Sequence, residues 1–283
     1  MKQRQRFLTL IGLPSIYLLL LFIVPMGLMV VFSFRAGTTG EARHIFTFDN
    51  YIKFINNESF HRLLWRSAGI SFFMAIISCV LAYPLAYYLA FKAGSKKTLL
   101  MLLIIIPTWT SYLLRIFSWK LILGSSGLLN GILQALGLID QPSPILLYSR
   151  PAVVITLIYV WVPFVMLPIF ASLERIDRYL LEAAADLGCT RFEAFLRVTF
   201  PLSLPGVVAG FFFAFIPTLG EFVTPLLVGG AQGSMYGNLI QDQFMRALNW
   251  PMGSVMSLAM LVIVLLMMFL LTRVGPLTDL LGL

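Results

Sequence analysis

The 283-residue chain is 59% hydrophobic and 11% charged, with a formal charge of +8 and a mean hydropathy of +0.92. A soluble domain carries about 25% charged residues, so this composition excludes a surface that meets water on all sides. A nucleic-acid surface is excluded too, because the basic residues form no stripe or arm and fall in short loops between apolar runs, where they set membrane topology.

Six runs reach bilayer length, roughly 18 apolar residues or more. The first covers residues 7–34, behind Lys2, Arg4 and Arg6. It is too long for a signal-peptide core and no small-residue cleavage site follows, so it reads as a retained span. Residues 45–63 mix aromatic and charged side chains and suit an interfacial segment. The second run covers 64–91 and the third 98–123. The stretch Leu128-Leu129-Asn130-Gly131-Ile132-Leu133 is too short to span and suits a surface or re-entrant helix. The fourth run covers 151–173, the fifth 202–228 and the sixth 251–273. The expectation is therefore an all-α polytopic membrane protein of about six transmembrane helices, forming one transmembrane domain over residues 1–283. No internal repeat of the inverted kind is visible.

Loop basicity orients the spans. With the N-terminus inside, the inner segments hold Lys2, Arg4, Arg6, Lys92, Lys96, Lys97, Arg175, Arg178, Arg191, Arg197 and Arg273. The outer loops hold Arg35, Arg43, Lys53, Arg62, Arg66, Arg150 and Arg246, a smaller set. Pro14, Pro25, Pro84, Pro107, Pro163, Pro168 and Pro217 lie inside the spans and permit kinks. Cys79 sits in an apolar run and Cys189 in a polar loop, so no disulfide is expected. His44 and His61 share one loop and form no metal-ligand cluster.

The most informative stretch is the loop between the fourth and fifth spans, residues 174–201. Asp177 suits a helix cap, and Glu182-Ala183-Ala184-Ala185 is strongly helix-forming. Gly188 stands where a left-handed stop is wanted. Thr190 with Glu193 three residues on has the capping-box pattern, and Phe192, Phe195 and Leu196 give an apolar edge. The spacing predicts a helix, a glycine break, a second amphipathic helix and then Pro201 where the chain meets the membrane. On spacing alone, an ordinary connecting loop packed on its own protein fits equally well.

This run resembles the EAA loop of binding-protein-dependent ABC importer permeases: Glu-Ala-Ala, three residues, Gly, nine residues, Ile-x-Leu-Pro. Glu182, Ala183, Ala184, Gly188 and Pro201 fall at matching places, while Val198 and Phe200 replace the usual isoleucine and leucine. The stretches Ile106-Pro107-Thr108-Trp109-Thr110-Ser111-Tyr112 and Phe215-Ile216-Pro217-Thr218-Leu219-Gly220-Glu221 are similar to polyamine permeases of this family, as are Leu227-Val228-Gly229-Gly230 and Asn249-Trp250-Pro251. The resemblance implies the type I ABC importer permease fold, a multi-pass place in the bacterial inner membrane and a cytoplasmic N-terminus. It also implies that Glu182, Ala183, Ala184, Asp186, Leu187, Gly188, Phe195 and Pro201 belong to a coupling element that docks on an ATPase subunit. The implied partners are ABC ATPase subunits, a second permease and a periplasmic substrate-binding protein. The implied cargo is a polyamine-like cation such as putrescine or spermidine, moved from periplasm to cytoplasm by alternating access.

Charges inside spans are costly, so they are usually functional or paired. Arg115 falls about 17 residues into the third run, roughly 25 Å deep at 1.5 Å per residue, and Glu221 reaches a similar depth in the fifth. The two are candidates for a structural ion pair; alternatively Glu221 faces the pathway and meets a cationic substrate. Trp109 and Tyr112 are further pathway candidates, able to hold an amine by cation–π contact, with packing between helices as the alternative.

Other functions fit less well. An intramembrane hydrolase needs a nucleophile and a base together, and neither histidine lies in a span. A secondary transporter or channel shares the hydrophobicity but needs no EAA loop. A permease for another small solute shares every motif above. No Gly-x-x-x-x-Gly-Lys-Ser/Thr run occurs, so the chain is expected to be no enzyme and to bind no cofactor, with ATP and Mg held by the partner ATPase.

Overall fold

The computed structural model describes residues 2–143 and 146–272, excepting the side chains at 2–11, 13, 271 and 272. Arg273 lies outside the described residues, as do the side chains of Lys2, Arg4 and Arg6. Thirteen α-helices are described: α1 (Lys2–Ser33), α2 (Asp49–Asn56), α3 (Glu58–Phe91), α4 (Lys97–Ile105), α5 (Tyr112–Leu123), α6 (Leu128–Ala135), α7 (Arg150–Glu174), α8 (Arg178–Asp186), α9 (Arg191–Ala194), α10 (Phe200–Leu219), α11 (Gly230–Gly233), α12 (Tyr236–Met245) and α13 (Trp250–Thr272). The one β feature among the described residues is an isolated bridge between Arg35 and Phe46. Six helical stretches are long and apolar enough to cross a membrane: Pro14–Ser33, Glu58–Phe91, Tyr112–Ala135, Arg150–Glu174, Arg191–Leu219 and Trp250–Leu270.

The chain divides into two compact units. One holds the described residues up to His61 together with Leu239–Ile263; the other holds Arg62–Asn238 and the described residues from Val264 onward. In the first, α1 leads into a loop that folds back on the helix end. Thr38 ties that loop to the start of α13, its hydroxyl donating to the Leu248 carbonyl at 2.7 Å and accepting from the Trp250 amide at 3.0 Å.

The second unit is centred on α7 and α10, which make the most extensive helix pairing. The pairing is close because α10 presents glycine to α7. A Cβ on Gly206 would stand 2.5 Å from the Pro168 carbonyl oxygen and 2.5 Å from Ser172 Cβ, and one on Gly210 would stand 3.0 Å from the Val165 oxygen. Two small residues one turn apart let apolar helices approach where no hydrophobic force acts between them. Ser149 caps α7 by accepting from the Ala152 amide at 3.2 Å. At the other end Glu174 pairs with Lys97 at the start of α4.

Helices α1, α3, α7 and α10 run unbroken through Pro14, Pro25, Pro84, Pro163, Pro168 and Pro217. The third and fifth apolar runs, however, are not single helices. The run 98–123 stops at Ile105, passes through a 3₁₀ turn Ile106–Trp109 and two extended residues, and restarts at Tyr112. Pro107 supplies no amide. The Thr108 and Thr110 hydroxyls bond back to the Ile105 and Pro107 carbonyls at 2.6 and 2.7 Å, which offers the backbone an alternative to helix. The run 202–228 ends as a helix at Leu219, with Gly220 following, and resumes as a π turn Pro225–Gly229. The short helix expected near Leu128 forms as α6, and the interfacial segment contains α2.

Candidate functional site

The segment between α7 and α10 is fixed by its own caps. The Asp177 carboxylate accepts from the Tyr179 amide at 3.0 Å and opens α8. The helix closes with Gly188 at φ +83°. Its amide donates to the Ala185 carbonyl at 2.9 Å, and the Cys189 amide donates to Ala184 at 3.0 Å. These are the two bonds of a Schellman stop, which needs a residue that tolerates positive φ. Thr190 and Glu193 then form the reciprocal capping box of α9, and a π turn Phe195–Thr199 leads into α10.

The two sides of this segment differ. Leu187 is 85% exposed and Phe192 68%, while Ala184 is buried. Glu182, Ala183 and Asp186 are exposed with Leu187. Phe195 faces its own protein: its ring lies edge-on to Tyr83 of α3 at 5.7 Å and near Phe200 at 6.1 Å. It lines one end of an apolar groove of about 870 Å³ between α3 and α10. Pro201 sits in the first turn of α10. The segment thus offers an outer side that mixes apolar Leu187 and Phe192 with acidic Glu182 and Asp186, and an aromatic anchor toward α3.

A second cluster joins the two broken spans. One Glu221 carboxylate oxygen accepts from the amides of Val223 at 2.8 Å and Thr224 at 3.1 Å, capping the turn after the break. The other accepts from the Tyr112 hydroxyl at 2.5 Å, and that hydroxyl also lies 2.9 Å from Thr224 Oγ1. Gly237 packs against the break, where a Cβ would meet the Gly220 and Glu221 carbonyl oxygens at 2.5 and 2.6 Å. Glu221 is 9% exposed.

The candidate Arg115–Glu221 ion pair is not formed. The Glu221 carboxylate is occupied by Tyr112 and two amides, and among the described residues no cation pairs with it. The depth argument assumed a continuous third helix, and the break at 106–111 removes that register. Arg115 instead lies 5.8 Å over the Tyr112 ring. Its Nε is buried without a hydrogen-bond partner, and it lines a cavity of about 330 Å³ with Pro107, Thr110 and Trp119. Trp109 stands at the break and is 81% exposed, so it does not pack between helices of this chain. Thr224 and Gly237 were not expected at this cluster; the signal for Thr224 was its place three residues after an acidic residue that follows a glycine. No group of His, Cys, Asp and Glu able to hold a metal occurs among the described residues, and both cysteines are free.

Comparison with known proteins follows the same lines. Residues 70–279 match the family described as binding-protein-dependent transport system inner membrane component. The chain is 34% identical over 281 residues to the spermidine/putrescine transport system permease protein PotB of Salmonella typhimurium (strain SL1344), covering 99% of this chain and 97% of that one. To the protein of the same name from Escherichia coli (strain K12) it is 35% identical over 263 residues, covering 92% and 95%. Among solved structures, a chain of the bacterial alginate ABC transporter in complex with alginate pentasaccharide-bound periplasmic protein superposes with a TM-score of 0.77 at 17% identity, covering 96% and 95%. At that identity the superposition shows the shared fold alone.

Proposed function

The chain belongs to the family of binding-protein-dependent transport system inner membrane components, and from that premise we propose that it is the permease of an ATP-driven importer for polyamine-like cations such as putrescine and spermidine. Members of the family are transport components rather than enzymes, and six bilayer-length helices make this one multi-pass. The near full-length likeness to spermidine/putrescine permeases carries the substrate class.

In this reading the chain lies in a bacterial inner membrane with its N-terminus in the cytoplasm. The outer side of α8 and α9, with Glu182, Asp186, Leu187 and Phe192, docks on an ATPase subunit. That subunit holds ATP and Mg; this chain binds neither. Ala183 and Ala184 form the helix, Gly188 sets the turn, and Phe195 and Pro201 join the element to α3 and α10. A second permease completes the pathway, and a periplasmic binding protein delivers the substrate. Closure of the ATPase pair then alternates access between the two faces.

The buried Glu221 charge has no cation beside it among the described residues, which suits a passing ammonium group. Tyr112 and the exposed Trp109 add aromatic faces for the same charge. A second reading, transport of another small solute, draws on Arg115, which lines a cavity, has a buried Nε without a hydrogen-bond partner and would favour an anion. Uptake of labelled putrescine by the assembled transporter, competed with spermidine and with small anions, separates the two. Competition by spermidine alone is the expected result; competition by anions alone refutes the polyamine assignment.

A further inference from the structure

The loop after α1 returns to the helix it leaves. The Ala36 amide donates to Ile45 at 2.9 Å and the Thr47 amide to Phe34 at 2.7 Å, closing the turn around the Arg35–Phe46 bridge. Helix α2 therefore begins at the last turn of α1. Asn50 Nδ2 donates to the Arg35 carbonyl at 2.7 Å and the Ser33 carbonyl at 3.3 Å, and the Tyr51 and Ser33 hydroxyls lie 2.7 Å apart. The Phe34 ring packs 5.3 Å from Phe48 and 5.2 Å from Tyr51. Carbonyls at the end of a helix need donors, and α2 supplies them from its inner side, where Asn50 and Phe54 are buried.

The outer side of α2 is apolar and bare. Phe48, Ile52 and Ile55 are 68%, 54% and 67% exposed, and steps of four and three residues put them on one face. Ile45 and Phe46 of the preceding loop are exposed as well, while Lys53 stands exposed off the row. A helix so sided, with polar and apolar faces, is built for an interface. Its level is set by α1, since α2 is bonded to the point where an apolar span ends. The occupant follows from continuity: none of the residues Pro14–Phe32 of the first span is buried within the protein, burial beginning only at Ser33 where α2 docks, so the row on α2 continues a surface that faces lipid.

We infer that α2 lies in the membrane–water boundary, with Phe48, Ile52 and Ile55 inserted among lipid headgroups and upper acyl chains at the end of the first span. The test uses the full chain in the assembled transporter, in nanodiscs. Spin labels replace Ile52, Ile55 and Lys53 one at a time, and collision with oxygen is compared with collision with a water-soluble nickel chelate. Labels at 52 and 55 should favour oxygen and report a depth of about 5–10 Å; the label at 53 should favour nickel. Phe48→Trp, which keeps an aromatic ring, should be quenched by lipids brominated near the headgroup. Labels at 52 and 55 that favour nickel overturn the inference in favour of a water-facing surface. Labels shielded from both reagents, or an unquenched Trp in place of Phe48, overturn it in favour of a protein partner such as the second permease.

Discussion

Gly188 allows the coupling reading to be tested by degrees. Its φ is +83°, and a Cβ built there meets nothing within 4 Å. A side chain at this position therefore brings strain without a clash inside the chain. For alanine the left-handed conformation costs roughly 1–2 kcal/mol, which lowers the equilibrium for closing the turn by about 5- to 30-fold at 1.4 kcal/mol per tenfold. Asparagine enters the same region more readily and should lose less. Gly188→Glu carries strain like that of alanine and adds a charged side chain on an exposed surface. The expected order of retained function is asparagine, then alanine, then glutamate. Two readouts separate strain from obstruction: hydrogen exchange at the Cys189 amide, which donates to Ala184 at 3.0 Å, and copurification with the ATPase subunit. Gly188→Ala should speed exchange and weaken copurification partially, whereas Gly188→Glu should abolish coupled uptake at similar exchange. Wild-type assembly and uptake in Gly188→Glu would refute docking through this turn, and unchanged exchange in Gly188→Ala would refute the strain argument.

Other outcomes follow from the same geometry. Glu221→Gln keeps acceptors for the two amides but removes the charge, so polyamine uptake should fall while assembly and ATPase activity persist; Glu221→Ala also removes the cap and should cost about 1–2 kcal/mol of stability in thermal unfolding. A double-mutant cycle between Arg115 and Glu221 should give a smaller coupling than the cycle between Tyr112→Phe and Glu221→Gln, because no ion pair joins Arg115 to Glu221 and the two meet only through Tyr112. Gly206→Val forces α7 and α10 apart and should cost roughly 1–3 kcal/mol or more, read as loss of folded protein after detergent extraction. Uptake in proteoliposomes should stop with a non-hydrolysable ATP analogue and continue when the membrane potential is collapsed at high ATP; loss under the second condition alone would point to a secondary transporter.

The α8–α9 segment was legible in the sequence because each of its signals is local. Asp177, Gly188 and the Thr190–Glu193 pair act within three or four residues, and all three form the caps their spacing implies. The breaks in the third and fifth runs were harder to read. Six prolines inside spans leave their helices continuous, so Pro107 carried no distinguishing mark until the back-bonding of Thr108 and Thr110 was visible. The partner of Glu221 was missed for a related reason: depth counted along an ideal helix ranks Arg115 beside it, but only the broken path brings the Tyr112 hydroxyl there. Orphan polar groups such as Arg115 Nε depend on packing between distant segments, which apolar periodicity does not encode.

The glycine contact between α7 and α10 has a mechanical consequence. Gly206 lies six residues past the start of α10, and its contacts, Pro168 and Ser172, lie near the end of α7. The α8–α9 segment is thus the closed end of a hairpin whose two arms are in close contact within two turns of the bend, leaving little slack to absorb a push. Helix α10 is 20 residues long, an arm of about 30 Å at 1.5 Å per residue. A sideways displacement of about 2 Å at its start corresponds to a swing of roughly 4° over an arm of that length. Its far end is Leu219, next to the Gly220 break and Glu221. Work done on the segment by an ATPase would therefore be carried toward the joint where the fifth span is already interrupted and where, among the described residues, hydrogen bonds from Tyr112, Val223 and Thr224 hold the carboxylate in place.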